Sequence, residues 1–254
     1  MKKFIAIMLA VLMLSALCAG CGSSESANGL NTVEPGKLIM STNAAFPPYE
    51  MTTDDGGFEG IDVEIATAIA EKLGLELVVD DMDFDAAQLA VQQGKSDLCM
   101  AGLSVTEDRK LVMDFSQTYA TGVQVVIVKE GSDVTMDNLG EKMIGTQRGT
   151  TGYIYCSDEF GEDAVVAYDN GLTAVQALNN GQVDCVVIDN APAKAFVEAN
   201  PGLSILDTDY AVEDYAIGIT KGNTALLDAI NTALAELTAD GTIQAIVDKY
   251  IPAE

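Results

Sequence analysis

Short apolar, β-branched runs alternate with segments of helical period along this chain, which predicts an α/β protein with parallel strands joined by helices. Two further observations make it two-lobed. A unit consisting of a helix, a Gly-x-x-Asp turn and an apolar strand occurs twice, as Gln93-Gly94-Lys95-Ser96-Asp97-Leu98 and Asn180-Gly181-Gln182-Val183-Asp184-Cys185, 87 residues apart. After the second copy the chain returns, through an apolar strand over 215–220 and two closing helices, to the first half. The expected organisation is lobe 1 over 37–120, lobe 2 over 121–215, and lobe 1 again over 216–254.

The elements follow from local chemistry. Residues 37–42 are a first strand, and 43–50 a Pro-containing loop carrying Phe46 and Tyr49. Asp54-Asp55-Gly56-Gly57 is a hairpin turn. Asp62 is expected to cap a helix over 63–73, apolar at 65, 66, 69, 70 and 73 and stopped by Gly74. A strand over 75–80, a helix over 85–94 and a strand over 97–102 follow. Thr106-Glu107-Asp108-Arg109 starts a helix with a Thr cap and acids in its first turn. The Val-rich run 122–129 is a strand crossing between the lobes. A short helix at 136–139 and a strand at 143–145 precede the loop 147–152 and a helix beginning near Tyr153. A strand over 165–168, a helix over 171–180, a strand over 185–188 and a helix over 191–200 complete lobe 2. Helices over 223–240 and 242–250 close the chain.

The first 20 residues form a targeting segment. Lys2-Lys3 precedes an apolar stretch over 4–17, too short to span a bilayer comfortably. Cys18-Ala19-Gly20-Cys21 resembles the lipobox of bacterial lipoproteins, with Cys21 as the lipidated residue and Cys18 where Leu is usual. A diacylglyceryl cysteine supplies two acyl chains, enough for stable anchoring. Residues 21–36 are small, polar and turn-rich, and read as a flexible tether. Thirteen Lys and Arg against 39 Asp and Glu give a formal charge of −26. That balance argues against nucleic acid and against electrostatic docking on anionic lipid. The absence of histidine removes the commonest transition-metal ligand and general base. Cys99, Cys156 and Cys185 match no metal-binding spacing and read as buried free thiols, a Cys156–Cys185 bridge being the alternative. No cofactor is expected: Gly149-Thr150-Thr151-Gly152 lacks the Gly-Lys-Ser/Thr of a nucleotide loop.

The two copies of the repeated unit end differently. One leads to the cation Arg109, in the first turn of a helix whose free N–H groups already favour an anion. A guanidinium there adds two-pronged recognition of a carboxylate. The other ends at Asp189, ahead of Asn190-Ala191-Pro192, and reads as a helix cap, as an acceptor for an ammonium group, or as both. With the two strand ends facing each other across a cleft, a zwitterion such as a free amino acid fits between them. The Gly102 carbonyl and Ser104 hydroxyl would join Asp189 around the ammonium. Backbone N–H groups of Thr106 and Thr151 would join Arg109 around the carboxylate. Phe46 and Phe84, both read in loops after strands, are candidate platforms for the aliphatic part.

These residues together resemble the polar amino-acid substrate-binding proteins of bacterial ABC importers, over about residues 37–252. Phe46-Pro47-Pro48-Tyr49-Glu50, Gly60-Ile61-Asp62-Val63-Glu64-Ile65, Asp83-Phe84, Gly102-Leu103-Ser104-Val105-Thr106, Arg109, Asp114-Phe115-Ser116, Gly149-Thr150-Thr151 and the terminal Gly241…Lys249-Tyr250 fall in the family's order. The resemblance implies a type II periplasmic-binding-protein-like fold, with a ligand cleft between lobes joined by two crossover strands near 119–123 and 211–215. It assigns Arg109 and Thr151 to the α-carboxylate, and Gly102, Ser104 and Asp189 to the α-amino group. Phe46 and Phe84 go to the ligand's aliphatic part, and Asn43 and Gln147 to its side chain. Neither of those last two is charged, which favours a neutral polar side chain, while Glu50, Asp83 or Asp85 would suit a cationic one. The implied protein is a monomeric, membrane-anchored receptor outside the cytoplasm that delivers an amino acid to a permease. Two alternatives stand beside it: an enzyme on the same scaffold, such as a prephenate or arogenate dehydratase, and a ligand-sensing module.

Overall fold

The computed structural model describes residues 29–208 and 210–251. The leader and the lipid-attachment cysteine, Cys21, lie outside the described residues. In chain order the strands are Lys37–Thr42 (β1), Ala45–Phe46 (β2), Glu50–Thr52 (β3), Phe58–Glu59 (β4), Glu76–Asp81 (β5), Leu98–Cys99 (β6), Met113–Phe115 (β7), Ala120–Lys129 (β8), Ile144–Gln147 (β9), Val165–Tyr168 (β10), Cys185–Asp189 (β11), Leu203–Ile205 (β12), Ala211–Tyr215 (β13) and Gly218–Thr220 (β14). The α-helices are Ile61–Leu73 (α1), Phe84–Gln92 (α2), Glu107–Val112 (α3), Thr151–Phe160 (α4), Gly171–Asn179 (α5), Asn190–Ala199 (α6), Thr224–Ala239 (α7) and Thr242–Tyr250 (α8).

Two sheets carry the two lobes. One runs β5-β1-β6-β14-β7, with β1 parallel to β5 and β6, and the other β10-β9-β11-β8-β12, with β9 parallel to β10 and β11. The returning strand β14 enters the first sheet antiparallel to β6 and β7, so the chain's end completes the lobe in which it began. Between the lobes, β13 pairs antiparallel with the start of β8, from Ala211 opposite Gln124 to Tyr215 opposite Ala120. These are the two crossover strands. The rest of β8 runs on into the second sheet, where Val125–Val128 are buried.

The repeated unit does the same work in both lobes. The Asp97 carboxylate accepts from the N–H groups of Val33 and Ile39, each at 2.7 Å, and so ties the turn before β6 to β1. Asp184 accepts from the Met143 N–H at 2.8 Å and ties the turn before β11 to the start of β9. Gly94 and Gly181 take φ of 64° and 71°, which lets each helix reverse into its strand. The following strand is therefore held in register by a side chain.

Three local readings need correction. Asp62 does not cap α1: the helix starts at Ile61, and the Asp62 carboxylate turns inward to accept from the Gly102 N–H at 2.9 Å. The strand read over 97–102 pairs only at Leu98–Cys99, because Gly102 turns the chain with φ 53°. Phe46 and Phe84 belong to elements rather than loops, Phe46 ending β2 and Phe84 opening α2. The three cysteines are free and buried, and burial pushes each thiol up to about 12, well away from reactivity.

Gly60 joins the small β2-β3-β4 sheet to α1 with φ 129°. A Cβ there would lie 2.6 Å from the Tyr49 carbonyl carbon and 2.9 Å from the Glu50 nitrogen, both backbone atoms that cannot step aside. Gly60→Ala is expected to cost about 1–3 kcal/mol or more, from the strained φ together with the clash. The midpoint of urea unfolding measures this; an unchanged midpoint would show that the junction is free to move.

Candidate functional site

The two sheets and α1's neighbours border a cleft lined by Asn43, Phe46, Glu50, Phe84, Ala101, Gly102, Ser104, Arg109, Gln147, Thr150, Thr151 and Asp189. Most lie at or just past a strand end or at a helix start. Asn43 follows β1, Ala101–Ser104 follow β6, Gln147 ends β9, Asp189 ends β11, and Phe84 and Thr151 open α2 and α4. This is where open α/β sheets leave a crevice. Every residue expected at the site lies on this wall except Thr106. Its hydroxyl instead accepts from the Arg109 N–H at 3.2 Å, capping α3 and fixing the turn that carries Arg109.

Arg109 is 7 % exposed. Its Nη1 donates to the Ser104 carbonyl at 2.8 Å, within its own lobe, and Nη2 to the Gly149 carbonyl at 3.0 Å, across the cleft. The guanidinium also sits 5.4 Å from the centre of the Phe84 ring, a cation–π contact that orients it. Burial lowers its pKa, partly offset by nearby acids. Phe84 thus braces the cation as well as lining the wall.

Asp189 faces it from the other lobe. It stands at the cap position of α6, but its carboxylate makes no cap bond. Instead Oδ2 accepts from Gln124 Nε2 at 2.8 Å, and Oδ1 accepts from the Tyr215 hydroxyl. Burial, and next the neighbouring Glu213 carboxylate, push its pKa up to about 8. Glu213, on β13, accepts from Ser104 Oγ, Thr151 Oγ1 and Gln124 Nε2, at 3.0, 2.8 and 3.0 Å.

A second acidic pair lies on the lobe 1 wall. Glu50 is fully buried, and burial followed by the charge of Asp62 raises its pKa well above the ordinary carboxylate range. Burial likewise raises Asp62, to about 6. Neither Glu50 oxygen has a hydrogen-bond partner among the described residues, so burial there favours the neutral acid over an added charge in the cleft. At the far end, Gln147 Nε2 donates to Asn43 Oδ1 at 2.9 Å, and Asn43 Nδ2 to the Met82 carbonyl at 2.9 Å. This carboxamide pair bridges the lobes opposite the charged end. Gly102 admits the Phe46 ring to the wall, since a Cβ there would lie 2.7 Å from a ring carbon.

Sequence reasoning named Glu50 only as one of three acids for a cationic ligand, and missed Gln124, Glu213 and Tyr215. All three missed residues lie on the crossover strands, or at their end, and join the site only through tertiary contacts.

The chain as a whole is similar to known binding proteins. A protein from Neisseria gonorrhoeae named "Probable histidine-binding protein" is 34% identical over 264 residues, covering 100% of this chain and 97% of the relative. Among solved structures, an ancestral arginine-binding protein bound to glutamine is 38% identical with a TM-score of 0.82, covering 87% of this chain and 100% of that one. An ancestral arginine-binding protein bound to arginine is 40% identical with a TM-score of 0.80, covering 85% and 98%. The model of the bacterial extracellular solute-binding proteins, family 3, matches residues 38–253, so the chain belongs to that family.

Proposed function

We propose that this protein captures a free polar L-amino acid in the cleft and delivers it to an ABC importer permease. The observation that carries the reading is a buried guanidinium, Arg109, and a buried carboxyl group, Asp189, presented from opposite lobes into one cleft. Arg109 and the Thr151 N–H at the start of α4 take the α-carboxylate. Asp189, the Gly102 carbonyl and the Ser104 hydroxyl take the α-ammonium. Phe46 and Phe84 flank the aliphatic stem, and Asn43 and Gln147 read the side chain. Thr106 serves through its cap on Arg109. A carboxamide pair suits an uncharged polar side chain, since neither member neutralises a cation.

The lobe limits at 120 and 215 put the two crossover strands between domains that close on the ligand as a clamshell. The lipobox at Cys21 holds the receptor at the outer face of the membrane, where it works as a monomer; the expected tether does not extend to residue 36, because Leu30 packs on the core and the Val33 N–H donates to Asp97. Among the described residues no helix is long and apolar enough to cross a membrane. The similarity to binding proteins supports a receptor rather than an enzyme.

A thermal-shift screen of residues 22–254 against the twenty common amino acids tests the reading. Ligand at 100 times Kd stabilises by about 2.7 kcal/mol, so one polar amino acid should stand out. No shift with any of them would refute it. Arg109→Ala is expected to cost about 2–5 kcal/mol of binding by leaving a buried carboxylate unpaired. That is roughly 30- to several thousand-fold in Kd. Calorimetry reads it directly, and affinity within twofold of wild type would remove Arg109 from the site.

Binding should also depend on pH through Asp189. With its pKa raised to about 8 in the empty fold, its protonated form stabilises that fold fully below the unfolded value. The contribution is lost as pH rises through 8. A bound ammonium reverses the preference by favouring the carboxylate, so binding below pH 8 releases a proton. Affinity is expected to rise with pH by up to about tenfold per unit between about pH 5 and 8, then level off. Asp189→Asn should bind weakly and lose that slope. A wild-type affinity flat over the range would contradict it.

A further inference from the structure

Glu213 is 7 % exposed and stands on β13 between the lobes. Its Oε2 collects the hydroxyl proton of Ser104 from one lobe, the hydroxyl proton of Thr151 from the other, and an amide proton of Gln124. The second Gln124 amide proton goes to Asp189, and so does the Tyr215 hydroxyl proton. A hydroxyl has one proton and two lone pairs. Once Glu213 holds that proton, the oxygen can only accept from anything else. Ser104 and Thr151 both line the cleft, as does Asp189.

We infer that Glu213 is a positioning residue that fixes the polarity of the two cleft hydroxyls as acceptors, committing that side of the cleft to a group with only protons to offer. The inference rests on the amino-acid reading above, and it names a determinant of ammonium selectivity that does not itself line the cleft. An α-ammonium has three protons and no lone pair, and so matches an acceptor-only wall. A carbonyl or carboxylate oxygen at the same place would leave lone pairs facing lone pairs. The Arg109 guanidinium has the reverse character, offering protons only. Amino-acid orientation is thereby set by hydrogen-bond polarity as well as by charge. Removing Glu213 frees the Ser104 and Thr151 protons to rotate, and the wall can then donate as well as accept.

The test is calorimetric titration of the full chain with the twenty common amino acids, the tightest binder then beside its des-amino carboxylate, in wild type, E213A, S104A and the double variant. In wild type, loss of the ammonium should weaken binding at least 100-fold. In E213A, which removes the acceptor that holds both hydroxyl protons, that ratio should fall by about 10- to 100-fold, the value of hydrogen bonds to a charged group. Affinity for the des-amino carboxylate, held by Arg109, should change little. S104A should lower the same ratio, and in the double variant the two losses should not multiply, because S104A deletes a hydroxyl whose polarity E213A has already released. An unchanged ratio in E213A, or losses that multiply in the double variant, would overturn the inference and leave the amino-acid reading standing. Failure of wild type to bind any amino acid would overturn the reading and the inference together. If E213A does not fold, S104A decides: retained discrimination excludes the hydroxyl as an ammonium acceptor.

Discussion

A guanidinium and a carboxylate are buried in one cleft, and their hydrogen bonds run to neutral groups instead of to each other. Arg109 donates to two backbone carbonyls, while Asp189 accepts from a carboxamide and a phenol. Carbonyls and amides solvate a charge without neutralising it, so each member still lacks a counter-charge. Away from water that is costly unless a partner arrives. The rise of Asp189 to about 8 is one response, since a proton stands in for the missing cation. Burial of Glu50 and Asp62 is another, because it favours their neutral forms and so disfavours a further negative charge in the same space. A zwitterion meets both needs at once.

Holding the two charges apart is the work of the backbone. Asp97 and Asp184 pin equivalent turns in the two lobes. The strand ends that follow then project Gly102 and Asp189 toward the cleft with little freedom to drift. Thr106 does the same for Arg109 by capping a helix of only six residues, too short to persist on its own propensity. Gly122 on β8 shows how closely the crossover strands are set. A Cβ there would lie 2.6 Å from Asp189 Oδ1 and would strike the Tyr215 ring and hydroxyl.

What was legible in the sequence follows from the range of each interaction. The repeated Gly-x-x-Asp unit, the Thr106 cap and the Gly74 stop act over a few residues and leave a pattern in spacing. Arg109 and Asp189 were legible because each sits at the end of such a unit. Their roles came from the pairing of opposite charges together with family resemblance. Glu213, Gln124 and Tyr215 left no such trace. Glu213 meets Ser104, Gln124 and Thr151 across sequence separations of 109, 89 and 62 residues. Along the chain it is one acid in Val212-Glu213-Asp214, indistinguishable from an exposed strand charge in a protein with 39 acids. Asp62 was misread for the opposite reason. An Asp before an apolar helix is the usual sign of a cap, and only the Gly102 N–H, forty residues away, outbids the helix for it.

The two ends of the cleft differ in how freely they can change. At the charged end, Asp189, Gln124, Glu213, Ser104, Thr151 and Tyr215 share protons, so altering one leaves another buried and unpaired. At the other end, the bond from Gln147 to Asn43 joins two neutral carboxamides, and Asn43 is otherwise held by a backbone carbonyl. Replacing either carboxamide disturbs two bonds and no charge. A chain of this design can therefore keep one grip on the groups that all amino acids share while its side-chain specificity shifts by one or two substitutions. The physical reason is that the linked charges resist substitution, while the carboxamide pair carries no charge.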